Sequence, residues 1–144
     1  MDRVLSVLPC LFAVIFSCTS QNSSADEASI LAIMDNQVSC WNEGDLDCFM
    51  EGYLQSDSLM FIGKNGITYG YQNTLDRYHK RYPDTEAMGE LSFQILHLNR
   101  LSPEYYAMIG QWNLNRRVDN LQGYFSLIFQ KINDQWVIIK DHSS

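Results

Sequence analysis

From Leu91 onward the chain is a run of four long strand-like segments broken only by turn formers, and this run limits the fold more than any other feature. The segments are Leu91–Leu101, Tyr105–Asn115, Gly123–Ile132 and Gln135–His142. Between them stand Ser102-Pro103, Val118-Asp119-Asn120 and Asn133-Asp134, which favour turns through proline's fixed φ and the tolerance of Asn and Asp for left-handed backbone. Connections this short join antiparallel neighbours. An antiparallel sheet then needs cover on one face, and the residues before Leu91 must supply it.

They read as helices. Ser24-Ala25-Asp26-Glu27 fits a capping box, with Glu three residues after Ser and acids in the first turn. Ile30, Met34, Val38 and Trp41 then recur at helical spacing along one face. Gly44 supplies the stop, and Asp45 caps a short second helix whose buried stripe is Leu46, Phe49, Met50 and Tyr53. Leu59–Gly63 is a short strand, Asn65-Gly66 a hairpin signal, and Ile67-Thr68-Tyr69 the returning strand. A third helix carries Leu75, Tyr78 and Tyr82 on one side and ends at Pro83; its other side carries Arg77, Lys80 and Arg81, placed to meet the acidic first helices. The expected order is α-α-β-β-α-β-β-β-β, an α+β domain with helices on one face of a curved antiparallel sheet. At 144 residues there is room for one such domain, and 46% hydrophobic residues are enough to pack it.

The first residues read as an export signal. Arg3 precedes an apolar run from Val4 to Phe16, which is shorter than the roughly 20 residues a membrane-spanning helix needs. Ile15-Phe16-Ser17-Cys18 resembles the lipobox of bacterial lipoproteins, with a small residue before a cysteine that becomes lipidated. Residues 1–17 are then a signal peptide, and 18–24 are the lipidated Cys18 with a polar tether. The domain proper occupies 25–144. This implies a cell-envelope lipoprotein held to the membrane by its lipid, facing the periplasm or anchored to the outer membrane. Ordinary secretion and an uncleaved anchor are the alternatives.

Charge narrows the partners. The net charge is −7, and the stretch from Cys18 to Gly63 contains eight acids and no Lys or Arg. Phosphate backbones are repelled by such a surface, so nucleic acid is not an expected partner. Cys40 and Cys48 are either a disulfide in an oxidising compartment or two buried thiols. His79, His97 and His142 have no close-spaced pairing, and phosphate-binding loops and a serine-nucleophile elbow are lacking in the sequence, so neither a metal nor a cofactor is expected.

Trp41-Asn42-Glu43-Gly44-Asp45 resembles the W-N-x-G-D pattern that joins the first two helices of the nuclear-transport-factor-2-like, SnoaL-like superfamily. Phe61, Gly63 and Gly70 match where its first strands meet the third helix, and Trp136-Val137-Ile138 with Asp141-His142-Ser143-Ser144 its closing strand. The resemblance spans about residues 25–144 and implies a cone-shaped, cystatin-like fold with a pocket between sheet and helices. A homodimer formed through the sheet is the expected assembly. The superfamily houses enzymes, binding modules and association domains on one scaffold, so fold does not fix function.

An apolar pocket with a few placed polar groups is what a small-molecule site requires. Tyr53, Phe61, Tyr71, Tyr78 and Trp112 are candidates to line it, beside Tyr69; ordinary core packing is the competing use of each. His97 shares a strand face with Phe93 and Ile95 and is a candidate to look into the same cavity. Arg116, in phase with Trp112 and Leu114, is a candidate to hold an anionic group at the rim. Asp141 and His142 form the best acid/base pair, although neighbours on a strand point to opposite faces and only one can enter. The resemblance favours His142 inward, because it shares the phase of Trp136 and Ile138. Three functions follow. One is an envelope domain binding a small hydrophobic or aromatic molecule. Another is a SnoaL-like isomerase, dehydratase or cyclase using Asp141 or His142, and the last is a non-catalytic association module.

Overall fold

The computed structural model describes residues 18–144, with side chains from Ser23 onward. The expected signal peptide and the side chain of Cys18 lie outside the described residues. Four helices and six strands follow in the order α1 (Cys18–Asn42), α2 (Leu46–Met50), β1 (Met60–Gly63), β2 (Gly66–Tyr69), α3 (Tyr71–Arg81), α4 (Thr85–Met88), β3 (Glu90–Ser102), β4 (Tyr105–Asn115), β5 (Asn120–Ile132) and β6 (Gln135–Ser143). The α+β order expected from the sequence is present, with α4 as an addition. Periodicity cannot reveal a four-residue helix; its signal is Asp84, whose carboxylate accepts from Ala87 N at 2.8 Å.

The strands form one sheet in the order β2-β1-β6-β5-β4-β3. Every pairing is antiparallel except β1 with β6, which is parallel. Asn133 and Asp134 both take positive φ in the two-residue turn between β5 and β6, the geometry that matches the strands' own twist. Gly44, at φ +81°, reverses the chain after α1, and Asp45 caps α2 through Cys48 N at 2.9 Å.

The described part of α1 reaches back to Cys18, six residues before the expected cap. The Ser24–Glu27 box is therefore inside the helix and caps nothing; Ser23 Oγ bonds Glu27 Oε1 instead, at 3.0 Å. Residues 18–24, read as a tether, are helical. The buried stripe of α1 is Ile30, Met34, Gln37 and Trp41, with Gln37 more deeply buried than Val38. Trp41 and Asn42 clamp this helix to the start of β3: Trp41 Nε1 donates to Gly89 O at 3.2 Å, and the Asn42 amide both donates to Leu91 O and accepts from Leu91 N. Cys40 and Cys48 form a disulfide between α1 and α2, with Cα atoms 5.5 Å apart.

Between helices and sheet lies a core in which Phe129 and Ile138 face each other, both fully buried. Burying a side chain of this size contributes about 1.5–3 kcal/mol. Three irregularities interrupt the pairing: one leaves Leu101 extra near the end of β3, between Arg100 opposite Tyr106 and Ser102 opposite Tyr105, and the other two redirect side chains near the core. On β3, Ile95 pairs with Gly110 and His97 with Ile109, leaving Leu96 as an extra residue. On β6, Ile138 pairs with Phe129 and Lys140 with Ile128, leaving Ile139 extra. One inserted residue reverses the face of every side chain beyond it.

Candidate functional site

A cavity of about 340 Å³ opens between the sheet and α1–α3. Its helical wall includes Met34, Gln37, Trp41, Phe49 and Tyr78, and its sheet wall includes Leu91, Phe93, Trp112, Leu114 and Leu127. The aromatic rings meet edge to face, with centroids 4.8 Å apart for Trp41–Tyr82, 5.3 Å for Phe49–Tyr78 and 5.7 Å for Phe61–Tyr78. Such contacts hold the rings in fixed orientations. Behind the sheet wall, a side chain at Gly110 would collide with the ring of Phe125, which packs edge to face on the lining residue Phe93.

Asp141 is the one carboxylate side chain lining the cavity among the described residues. The bulge at Ile139 puts it there: Trp136 and Ile138 face inward before the extra residue, and Asp141 after it. Backbone bonds from Leu54 N to Ile138 O and from Ile138 N to Gly52 O hold Tyr53 against β6. From there Tyr53 Oη donates to Asp141 Oδ2 at 2.7 Å, while Ser143 Oγ donates to Oδ1 at 2.6 Å. Burial pushes the Asp141 carboxyl above its usual range, and the hydrogen bonds from Ser143 and Tyr53 only partly oppose this. Burial, followed by the nearby Asp141 charge, raises the phenols of Tyr53 and Tyr78 well above the ordinary value. Both tyrosines are therefore neutral hydroxyl donors.

The residues expected at the site divide cleanly. Tyr53, Phe61, Tyr78, Trp112 and Asp141 line the cavity. His142 does not: the β6 bulge turns it to the exposed outer face of the sheet, so the inward placement favoured by the closing-strand resemblance is corrected. His97 is likewise exposed, turned outward by the β3 bulge at Leu96. Tyr71 stands at the N-terminal end of α3 outside the cavity, where burial and then Asp47 and Glu51 raise its phenol. Arg116 lies past the end of β4 and is a clamp rather than a rim residue, bonding Ala87 O at 3.2 Å and pairing with Asp119.

Three cationic side chains absent from the expected site also line the cavity: Lys64, Arg77 and Arg81. The helical pattern of α3 set both arginines on its solvent side, facing the acidic helices. Instead Arg77 Nη1 donates to Thr68 Oγ1 at 2.9 Å with its guanidinium 4.9 Å above the Phe61 ring, and Arg81 Nε donates to Tyr82 Oη at 3.2 Å. His79 makes the contact with the acidic segment, 3.4 Å from Asp47. Gln37 was also missed; its signal is a polar residue three positions after Met34 and four before Trp41. Its amide donates to Phe49 O at 3.2 Å. Trp112 Nε1 is buried with no partner among the described residues.

The chain is similar to a nuclear-transport-factor-2-like protein of unknown function from Shewanella oneidensis MR-1. The two are 41% identical, with a TM-score of 0.80 over 83% of this chain and 98% of that one. It is also similar to a domain with a cystatin-like fold from Nostoc punctiforme, 16% identical with a TM-score of 0.71 over 84% and 77% of the two chains. A third likeness is to the hexachlorocyclohexane dehydrochlorinase LinA-type3 from Novosphingobium barchaimii LL02, 14% identical with a TM-score of 0.70 over 88% and 90%. The last two share the fold alone. No protein-family model and no curated protein matches the chain.

Proposed function

Because the chain belongs to the nuclear-transport-factor-2-like family, whose fold is compatible with many activities, we propose a function from its cavity: it binds a small hydrophobic or aromatic molecule. The observation that carries this reading is the aromatic cavity of about 340 Å³ holding a buried, hydrogen-bonded carboxylate and an indole N–H without a partner among the described residues. An apolar interior with few polar groups is the composition of a small-molecule site. Trp112 Nε1 and the Tyr78 hydroxyl supply donors, and the rings supply a flat surface. A thermal-shift and NMR screen of aromatic fragments tests it. Hits that saturate in the wild type and weaken at least tenfold in Trp112→Ala and Tyr78→Ala support the proposal; hits indifferent to both substitutions defeat it.

A second, catalytic reading is favoured by one observation, the raised carboxyl of Asp141 inside the cavity. A carboxylate pushed toward neutrality is suited to proton transfer. A hexachlorocyclohexane dehydrochlorinase on the same fold makes elimination chemistry a reasonable class to assay. The exposed His142 is no partner in this reading. Turnover that survives Asp141→Asn would end it.

The cellular setting we propose is the envelope, with the chain anchored by lipid on Cys18 and paired as a homodimer through the outer sheet face. The Arg3 and Val4–Phe16 signal, the Cys18 lipobox resemblance and the Cys40–Cys48 bridge support export. Exposed Ile109 and Tyr124 on the outer face support pairing. Labelled palmitate should enter the wild type and not Cys18→Ala. Light scattering should give a dimer mass that falls to a monomer in Ile109→Asp; a wild-type monomer would remove the pairing.

A further inference from the structure

Lys64, Arg77 and Arg81 place three of the chain's ten bases on one cavity, in a protein whose net charge is −7. They come from separate places, the β1–β2 hairpin and two positions one turn apart on α3. Composition does not account for the cluster, since the chain from Cys18 to Gly63 has no base at all. Among the described residues, none of the three has a carboxylate within ion-pair distance; the ion pairs present are His79–Asp47, Arg116–Asp119 and Lys131–Asp26. Asp141 does not serve them: it forms no ion pair with any of the three, and its oxygens accept from Tyr53 and Ser143. The arginines are nonetheless held in place, Arg77 by Thr68 and the Phe61 ring and Arg81 by Tyr82. Held cations without anions, beside an apolar interior, make a site for a charged head on an apolar body.

We infer that the cavity's ligand is an amphipathic anion, an aromatic or aliphatic body carrying a carboxylate. The carboxylate meets Arg77, Arg81 and Lys64, and the body lies against Phe93, Leu127 and Trp112. Both partners carry charge at neutral pH, because guanidinium groups keep their proton and a carboxylic acid loses its own. The remainder of the protein repels anions at long range, so selectivity is local and falls as salt screens the three cations. This inference rests on the binding reading above and specifies its ligand class.

The test compares 2-naphthoate with 2-naphthamide, which share a ring system and differ in charge, by calorimetry at low salt and neutral pH. Naphthoate should bind about tenfold more tightly, as expected from two or three partly exposed ion pairs acting together. In Arg77→Gln/Arg81→Gln that ratio should collapse toward one while the amide keeps its affinity, which also shows that the cavity is intact. Lys64→Gln/Arg81→Gln, which leaves Arg77 on Phe61, should lower the ratio several-fold. Equal affinities in the wild type, or a preference that survives both double variants, overturn the inference and leave the cavity as a neutral apolar site. Failure of both compounds to bind saturably removes the binding reading, and the inference with it.

Discussion

Tyr53 Oη donates to Asp141 Oδ2 over 2.7 Å, joining the segment after α2 to the last strand of the sheet. The two residues are 88 positions apart in sequence. Their meeting requires both the backbone bonds that fix Tyr53 beside Ile138 and the extra residue, Ile139, that turns Asp141 inward.

The first prediction concerns the cost of that burial. The folded-state carboxyl of Asp141 titrates above its unfolded value, so the folded protein holds the proton more firmly. The associated stability is fully present below the unfolded value, near 3.8, and is lost as pH rises through the raised folded value. Asp141→Asn carries no such loss and keeps an acceptor for Tyr53. Thermal melts across pH 3–9 should show the variant gaining on the wild type as pH rises and then levelling. A constant difference across the range would contradict it.

Asp26 behaves in the opposite sense. Burial acts to raise its carboxyl, but bonds from Lys131 Nζ at 2.9 Å and Trp136 Nε1 at 3.0 Å prevail and lower it. Its contribution is present above the unfolded value and disappears as pH falls through the folded one. Asp26→Asn should cost about 1–2 kcal/mol at pH 7, as for other weakened hydrogen bonds, and almost nothing in strong acid. Urea titrations at the two pH values measure it.

The Cys40–Cys48 bridge closes a short loop across the α1–α2 junction. Chain-entropy arguments give such a crosslink about 2–3 kcal/mol. Reduction, or replacement of both cysteines by serine, should lower the unfolding free energy from urea titration by that amount while leaving the sheet's circular dichroism unchanged.

His97 and His142 stand on the exposed face, opposite the cavity. Alanine at either should change stability by less than about 0.5 kcal/mol, the usual range for surface positions, and leave ligand affinity unaltered. A large loss of binding in His142→Ala would mean that the β6 phase is wrong.

Most of the fold was legible because its signals are local. Gly44 and Asp45 announce the helix junction, Asn133-Asp134 the last turn, and alternation the strands. The site was less legible because alternation carries a face assignment only as far as the next bulge. The two bulges that re-aim His97 and Asp141 fall where two large aliphatics are adjacent, Ile95-Leu96 and Ile138-Ile139, and the interval from Ile95 to Leu98 records the first slip on β3. Nothing comparable marks the second, because the residue it turns inward is an aspartate. Arg77 and Arg81 were hidden for another reason: a long side chain on the polar side of a helix can fold back over a neighbouring ring. The disulfide was open in sequence because spacing does not fix the distance between Cα atoms across a helix junction.

The indole proton of Trp112 reports directly on whether the cavity admits a ligand. Uniformly 15N-labelled protein should be titrated with 2-naphthamide and followed by heteronuclear correlation spectra. A ligand entering the cavity should give a saturable shift of the Trp112 Nε1–H resonance, together with the backbone amides of Phe93 and Leu127. Shifts confined to the outer face around Ile109 and Tyr124, or no saturable shift at all, would contradict the binding proposal.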